Sequence, residues 1–287
     1  MDPISNNILV TGANGQLGME FRELQAAHPW INFVWADRST LDITDARAVE
    51  EVFNSQTFFC CINCAAYTLV DKAETEQEQA LAVNAVAPGI LAEISAKHNA
   101  RFIHFSTDYV FNGKGIRPYL PEDPTSPVNF YGESKLRGEK NVRLANPGAM
   151  IIRTSWVYSR HGKNFVKTML RLMSEKPEIS VVADQFGSPT YAADLAKAVM
   201  ELVYRPEIPG GIYHYCNTGI ISWHEFATAI RDIKGLNTPV HAIPTSSYPT
   251  PATRPAYAAL DTTRIQAYLE HPIPTWRKSL EQCLAGL

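Results

Sequence analysis

Tyr131 and Lys135 stand four residues apart in "NFYGESKLRGEKNV" (129–142), a spacing that puts both on one face of a helix. A phenol with a pKa near ~10 is a slow acid at neutral pH. An ammonium one turn away would stabilise its phenolate and ease release of the proton. Upstream, "FIHFSTDYVFNG" ends an apolar run with Ser106, Thr107 and Asp108. A Thr107 hydroxyl beside Tyr131 could share and orient a substrate oxygen. The three side chains together suit carbonyl reduction, in which carbon takes a hydride and oxygen a proton. Spacing alone fits equally well an amphipathic helix with two polar surface residues, and Thr107 fits equally well a strand-end cap.

A hydride needs a carrier, and the chain has a loop suited to one. "ILVTGANGQLG" sets Gly12, Gly15 and Gly18 between a strand and a helix, spaced GxxGxxG where the common dinucleotide fingerprint is GxGxxG. Gly12 ends the strand in a tight turn, Gly15 lets backbone approach a pyrophosphate, and Gly18 lets the helix pack on the sheet. The helix start offers free N–H groups to anionic oxygens. About twenty residues on, Asp37 is placed to bind a ribose 2′-hydroxyl, which favours NADH, while Arg38 could accept a 2′-phosphate, which favours NADPH.

These groups need a scaffold. The runs "NILVTG" (7–12), "INFVWAD" (31–37), "FFCCINCAA", "RFIHFSTDYVF" and "AMIIRTSWVY" (149–158) read as strands. Between the first four, "QLGMEFRELQAA", "DARAVEEVFNSQ" and "EQEQALAVNAVAPGILAEISAKHN" read as helices. The alternation predicts an α/β fold, a doubly wound parallel sheet of Rossmann type with both faces covered. After about residue 160 prolines accumulate, which predicts loops and short elements. The expected layout is a dinucleotide-binding domain over 1–160 and a smaller substrate domain over 161–287, with the chain crossing between them.

Composition narrows the function classes. A net charge of -3, with 45% hydrophobic and 19% charged residues, gives no basic field for nucleic acid or membrane. The opening "MDPISNNILVTG" lacks the pattern of a secretory leader, and no run reaches the ~18 apolar residues of a membrane span. The expectation is a cytoplasmic protein. Cys61-Ile-Asn-Cys64 matches CxxC, but on a buried strand the two thiols point to opposite faces, so packing is the better reading.

With the glycine loop, Ser-Thr-Asp and Tyr-x-x-x-Lys in place, the chain resembles the extended short-chain dehydrogenase/reductases. Longer strings, among them "CINCAAYTLVDKAE", "STDYVFNGKG", "YGESKLRGE", "IIRTSWVYSRHGKNFVKTMLRL", "VVADQFGSPT" and "YPTPATRPAYAALDTTR", are similar in order to the dTDP-4-dehydrorhamnose reductases. That resemblance implies NAD(P)H-dependent reduction of the 4-keto group of dTDP-4-dehydro-L-rhamnose, for rhamnose-containing surface polysaccharide. It makes Tyr131 the proton donor, Lys135 its tuner and ribose ligand, and Thr107 the third member. Asn14, Gly15, Gln16 and Leu17 would line the pyrophosphate, with Asp37, Asp42 and Ile43 around the adenosine end. Ala65, Ala66, Tyr67 and Thr68 would follow the third strand beside the cofactor. Asp108, Tyr109 and Trp156 would face the sugar, and Arg254 would pair with the diphosphate.

Asp42 equally suits a helix cap, a role for which Asp45 competes, and Trp156 and Arg254 alone would suit a core aromatic and a surface charge. Some relatives are described as magnesium-bridged dimers; Glu20 could serve as one ligand, but "SPTYAADLA" offers alanines at 192 and 193. No metal is expected, and a homodimer stays open. Related 4,6-dehydratases need an acid where this chain has Tyr109. The alternatives are a nucleotide-sugar epimerase, or a non-catalytic NADP-binding regulatory subunit of the methionine adenosyltransferase type.

Overall fold

The computed structural model describes residues 6–287; residues 1–5, part of the segment read for a leader, lie outside them. Five parallel strands carry the first half: β1 (Asn7–Thr11), β2 (Asn32–Ala36), β3 (Cys60–Asn63), β4 (Arg101–Thr107) and β5 (Met150–Thr154). Four helices accompany them: α1 (Gln16–Leu24), α2 (Ala46–Ser55), α3 (Gln77–Lys97) and α4 (Phe130–Ala145). A sixth parallel strand, Gly211–His214, returns from the second half to pair with β5. The sheet order is Gly211–His214, β5, β4, β3, β1, β2. The order reverses at β1 and β3, and a doubly wound sheet opens a ligand crevice at that point, beyond the carboxyl ends of its strands.

The strands read as unbroken apolar runs because each alternation buries on both sides. Ile8, Val10, Cys60, Ile62 and Phe105 join one core cluster with Phe21 of α1 and the helix Ala192–Val203. Leu9, Cys61, Phe102 and Ile151 join the other, with Val49 and Phe53 of α2, Leu91 of α3 and Val142 of α4. Cys64 follows β3 and packs on the first cluster, whereas Cys61 sits in the second, and burial pushes all three neighbouring thiols up. Asp45, rather than Asp42, caps α2, its carboxylate accepting from the Arg47 and Ala48 N–H groups. Helix α3 has the length and apolarity to cross a membrane, yet half of that stretch is buried inside the protein.

One expected strand breaks. "AMIIRTSWVY" yields β5 and a separate short strand, Val157–Tyr158, because Trp156 takes a left-handed φ of 48° between them. Beyond residue 160, pairs of short strands and the helices Phe165–Glu175, Trp223–Ile233 and Trp276–Ala285 enclose a third cluster around Tyr158, Met169, Phe226 and Leu280.

Candidate active site

Glycine builds the cofactor end by what it leaves out. Gly12 adopts φ +66°, and a Cβ there would lie 2.5 Å from the Ala65 amide nitrogen, so the β1 turn can close on the end of β3 only without a side chain. A Cβ on Gly18 would lie 2.5 Å from the Gly12 carbonyl oxygen, so α1 can start this close to the loop only with glycine there. Gly15 is the N-cap of α1 and no side chain caps the helix. Its first-turn N–H groups are therefore open to an anion.

A cavity of about 430 Å³ opens here at the sheet reversal. Of the expected cofactor residues, Gly12, Gly15, Asp37, Arg38, Asp42, Ile43, Ala65, Ala66 and Tyr67 line it, with Gln79, Ala82 and Val83 of α3 opposite. These features fit a dinucleotide: a backbone cradle, an uncapped helix start, and an acid and a base at the far end.

The other expected residues lie off this wall. Asn14 donates to Asp37, Gln16 accepts from Asn164 Nδ2 at 2.9 Å, Leu17 packs on the core, and Thr68 is exposed. Asp37 is fully engaged: Oδ1 accepts from the Ser39 hydroxyl at 2.6 Å and amide at 2.8 Å, and Ser39, Thr40 and Asn14 hold its carboxyl below the usual range. A larger hollow, about 740 Å³ between the helix Ala192–Val203 and residues 269–274, contains none of the residues expected to react.

Side chains build the reaction end. Tyr131 sits in the first turn of α4, whose start is pinned from three directions. Asn129 Oδ1 accepts from the Gly132 amide and its Nδ2 donates to the Thr253 carbonyl, both at 2.8 Å, while Glu74 accepts from the Phe130 amide at 2.9 Å. A Cβ on Gly132 would lie 2.2 Å from the Tyr109 carbonyl oxygen, so the glycine of "YGESK" lets this helix rest on the turn after β4.

Thr107 closes β4 near the Tyr131 hydroxyl and favours its phenolate; its own hydroxyl donates to Asp108 Oδ1 at 2.9 Å and accepts from the Tyr109 amide at 3.2 Å. The Tyr109 and Tyr131 rings meet edge to face at 5.6 Å. Thr107, Asp108, Tyr109 and Tyr131 thus form one contact group.

Lys135 departs from expectation. Its Nζ donates to the Phe105 carbonyl at 2.6 Å and lies 3.5 Å from His104 Nε2, against the interior strand β4. Burial pushes the Tyr131 phenol up to about 12 against the pull of the nearby Thr107 hydroxyl, so the expected lowering by Lys135 is not realised. Burial also lowers the Lys135 amine to about 8, opposed by Glu139. Taking either side chain out of water penalises its charged form more than a partner one turn away offsets it.

The sequence reading missed the groups that hold these residues. Helix α3 widens to π geometry over Ala82–Val86, a local irregularity often found at functional sites. There the buried Asn84 side chain accepts from the Tyr67 amide and donates to its carbonyl, both at 2.9 Å, and donates to Ser134 of α4 at 3.0 Å. One amide thereby fixes the cofactor-side loop to the helix bearing Tyr131. One turn below Lys135, Glu139 takes a fork from Arg153 at 2.8 and 2.7 Å and a bond from Ser106. Gly138 in the middle of α4 could have signalled this approach, because a Cβ there would lie 2.0 Å from the Asn84 carbonyl oxygen.

Of the residues expected to face the substrate, Arg254 reaches the Tyr109 neighbourhood but is bound to Asp71 at 2.9 Å, a partner the sequence reading did not name. Trp156 stacks on Trp223 at 3.5 Å between ring centres and presses on Gly187, so it belongs to an aromatic wall. Glu20, Glu23 and His161 bring ligand-type atoms within 4.8 Å of one another. Ser159 bonds Glu20 at 2.6 Å, while His161 and Arg160 take Glu23.

Known proteins resemble this chain over nearly its whole length. The family model described as RmlD substrate binding domain matches residues 6–287. The spore coat polysaccharide biosynthesis protein SpsK of Bacillus subtilis is 43% identical over 96% of both chains. A dTDP-4-dehydrorhamnose reductase of Aggregatibacter actinomycetemcomitans is 40% identical, over 97% of this chain and 98% of the relative. The crystal structure of dTDP-4-dehydrorhamnose reductase from Bacillus anthracis, in complex with NADP, superposes with a TM-score of 0.94 at 37% identity, covering 99% and 100% of the two chains. By sequence over its full described length and by fold, the chain belongs to the RmlD substrate binding domain family.

Proposed function

We propose that this protein reduces the 4-keto group of dTDP-4-dehydro-L-rhamnose with NADPH to give dTDP-L-rhamnose. The observation that carries the reading is the joining of two parts: a glycine-walled cavity at the sheet reversal, and Tyr131, with Thr107 beside it, packed on the far side of Tyr67 and Val83. A reduced nicotinamide cofactor, held by Gly12, Gly15, Asp37, Arg38 and the Ala65–Tyr67 segment, supplies the hydride.

The remaining work falls to side chains. Tyr131 hands its proton to the carbonyl oxygen as that oxygen gains charge. Thr107 fixes the direction of the phenol O–H, and Asn84 with Glu139 keeps α4 in register with the cofactor wall. Lys135 lies one turn behind Tyr131 to meet the ribose. Arg254 exchanges Asp71 for the substrate diphosphate, and Tyr109 lies against the sugar. Residues up to about 160 chiefly bind the cofactor and those beyond it chiefly the nucleotide sugar. The same reading carries a cytoplasmic location and a dTDP-sugar partner.

The test follows NADPH absorbance with dTDP-4-dehydro-L-rhamnose for the wild type and Tyr131→Phe. Expected is wild-type oxidation of NADPH and a loss of about 10²–10⁴-fold in kcat for the variant, the range for removing a general acid. A wild type that leaves NADPH unoxidised sinks the reductase reading. A fully active Tyr131→Phe sinks only the proton-donor role.

A further inference from the structure

Thr11, Asn63 and His104 stand opposite one another across β1, β3 and β4, a polar row over three neighbouring strands. None is more than 1% exposed, so the polar atoms of the row need partners inside the protein. The Asn63 amide has one possible orientation. Its Oδ1 accepts from the Thr11 hydroxyl at 2.7 Å and from the Ala65 backbone N–H at 3.1 Å, and a backbone N–H can only donate. Nδ2 therefore points at His104 Nδ1, 3.1 Å away, which must accept. A neutral imidazole that accepts at Nδ1 carries its proton on Nε2. Burial, with Lys135 beside the ring, keeps His104 neutral by holding it well below its ordinary value. The Nε2–H then faces Lys135 Nζ at 3.5 Å, donor to donor.

We propose that His104 is a positioning residue for Lys135: with its proton fixed on Nε2 by Asn63, it offers Lys135 no acceptor and so leaves the ammonium free to turn to the nicotinamide ribose. The inference deepens the reductase reading and rests on it. An ammonium has three N–H groups to place. One goes to the Phe105 carbonyl at 2.6 Å, the one acceptor Lys135 has among the described residues. The others are unmet in the interior, a cost that ribose hydroxyls would relieve. With the proton on Nδ1 instead, His104 would relieve it first and hold Lys135 in place.

The surroundings agree with an ammonium short of acceptors. Burial lowers the Lys135 amine to about 8, opposed by Glu139. The titratable groups around it are His104 of β4, Tyr131 and Glu139 of its own helix and, through the fork on Glu139, Arg153 of β5. Helix α3 presents Asn84 to α4, which carries no charge. The Asn63 amide also holds the Ala65 N–H that lies against Gly12, so a single row of side chains sets both the cofactor cradle and the lysine.

Nitrogen NMR of the cofactor-free protein reads the tautomer. His104 should carry its proton on Nε2 from pH 6 to pH 9; an Nδ1–H or cationic ring overturns the proposal. Asn63→Asp keeps an acceptor for Thr11 and Ala65 but turns a second oxygen to His104. Nδ1 must then donate, and Nε2 becomes the acceptor that Lys135 lacks. The His104 nitrogen signals should exchange roles, and Lys135 should titrate above its wild-type value of about 8. NADPH should bind about 10-fold more weakly, the worth of a charge-assisted bond. 2′,5′-ADP, which lacks the nicotinamide ribose, should bind as it does to the wild type. Equal losses for both ligands would mean that Asn63 only builds the cradle, and overturn the proposal. His104→Gln can turn its carbonyl to Lys135 and should show the same ligand split, which keeps the test if Asn63→Asp does not fold. NADPH held by His104→Gln as tightly as by the wild type overturns the proposal. A wild type that leaves NADPH unoxidised overturns the reductase reading, whereas the tautomer and the ligand split are read without turnover.

Discussion

The two ends of the site are built in opposite ways. At the cofactor end, missing side chains and accessible charges do the positioning: Gly12 and Gly18 permit backbone contacts that a Cβ would block, Arg38 is exposed and Asp37 half-exposed. At the reaction end, Thr107, Asp108 and Lys135 are buried, and the last two have pKa values moved toward their neutral forms. Exposed charge can bind a charged ligand with little penalty to the fold. Buried ionisable groups make proton transfer feasible near neutral pH, but they load the fold with desolvation cost. The contrast predicts that changes at the reaction end will show in stability, and changes at the cofactor end mainly in ligand choice.

Glu139→Gln is the sharpest test. Arg153 is 2% exposed and its fork rests on Glu139, with Phe111 beneath the guanidinium at 5.0 Å. Removing the carboxylate charge leaves a buried cation uncompensated, a change that costs about 3–5 kcal/mol. Urea unfolding should show a loss of that size. A loss under ~1 kcal/mol would mean that the pair behaves as a surface ion pair and that the contrast between the two ends is false.

Lys135 gives the next largest effect, with a definite sign. Its folded pKa of about 8 lies below the ordinary 10.5, so between those values the unfolded chain binds more protons than the native one. Native stability from this group therefore rises with pH across that window, and the burden of the buried ammonium is felt in full below about pH 8. Lys135→Met, of similar length without the charge, should be more stable than the wild type at pH 7. The gap is on the order of 3 kcal/mol, at ~1.4 kcal/mol per pH unit, and it should close towards pH 10.5. A gap that does not vary with pH would show that Lys135 is charged and satisfied in place.

The same division explains what could be read from sequence. The strands were legible because both sheet faces are apolar, so Ile8, Leu9 and Val10 look alike although they join different clusters. The glycine loop was legible because its spacing is local. Asn84, Asp71 and the Glu139–Arg153 pair were not, because their partners are set by the fold: Arg254 and Asp71 lie 183 residues apart. Trp156 misled for a different reason. Its neighbours have strand propensity, and only packing on Trp223 and Gly187 reveals the turn. The Tyr131–Lys135 spacing correctly placed both on one helix, but spacing carries no information on burial, which reversed the expected direction of the tyrosine shift.

The smallest expected effects belong to the cofactor end, where Asp37 and Arg38 favour different coenzymes. Asp37 spends Oδ1 on Ser39 and Thr40 and Oδ2 on Asn14, so a ribose hydroxyl must compete for an occupied acceptor. Arg38, exposed on the same cavity wall, has the geometry to fork onto a phosphate. Arg38→Ala should therefore weaken NADPH by about 5–20-fold, a charge-assisted bond of about 1–2 kcal/mol, and leave NADH nearly unchanged. Asp37→Asn should alter the NADPH-to-NADH ratio less, since Ser39 and Asn14 can still bond the amide. Fluorescence titration of each variant with both coenzymes reads the ratio directly, and melting temperatures should stay within about 2 °C of the wild type for substitutions on such an exposed surface. If Arg38→Ala instead destabilised the fold as Glu139→Gln does, the cofactor end would be carrying structure as well as ligand.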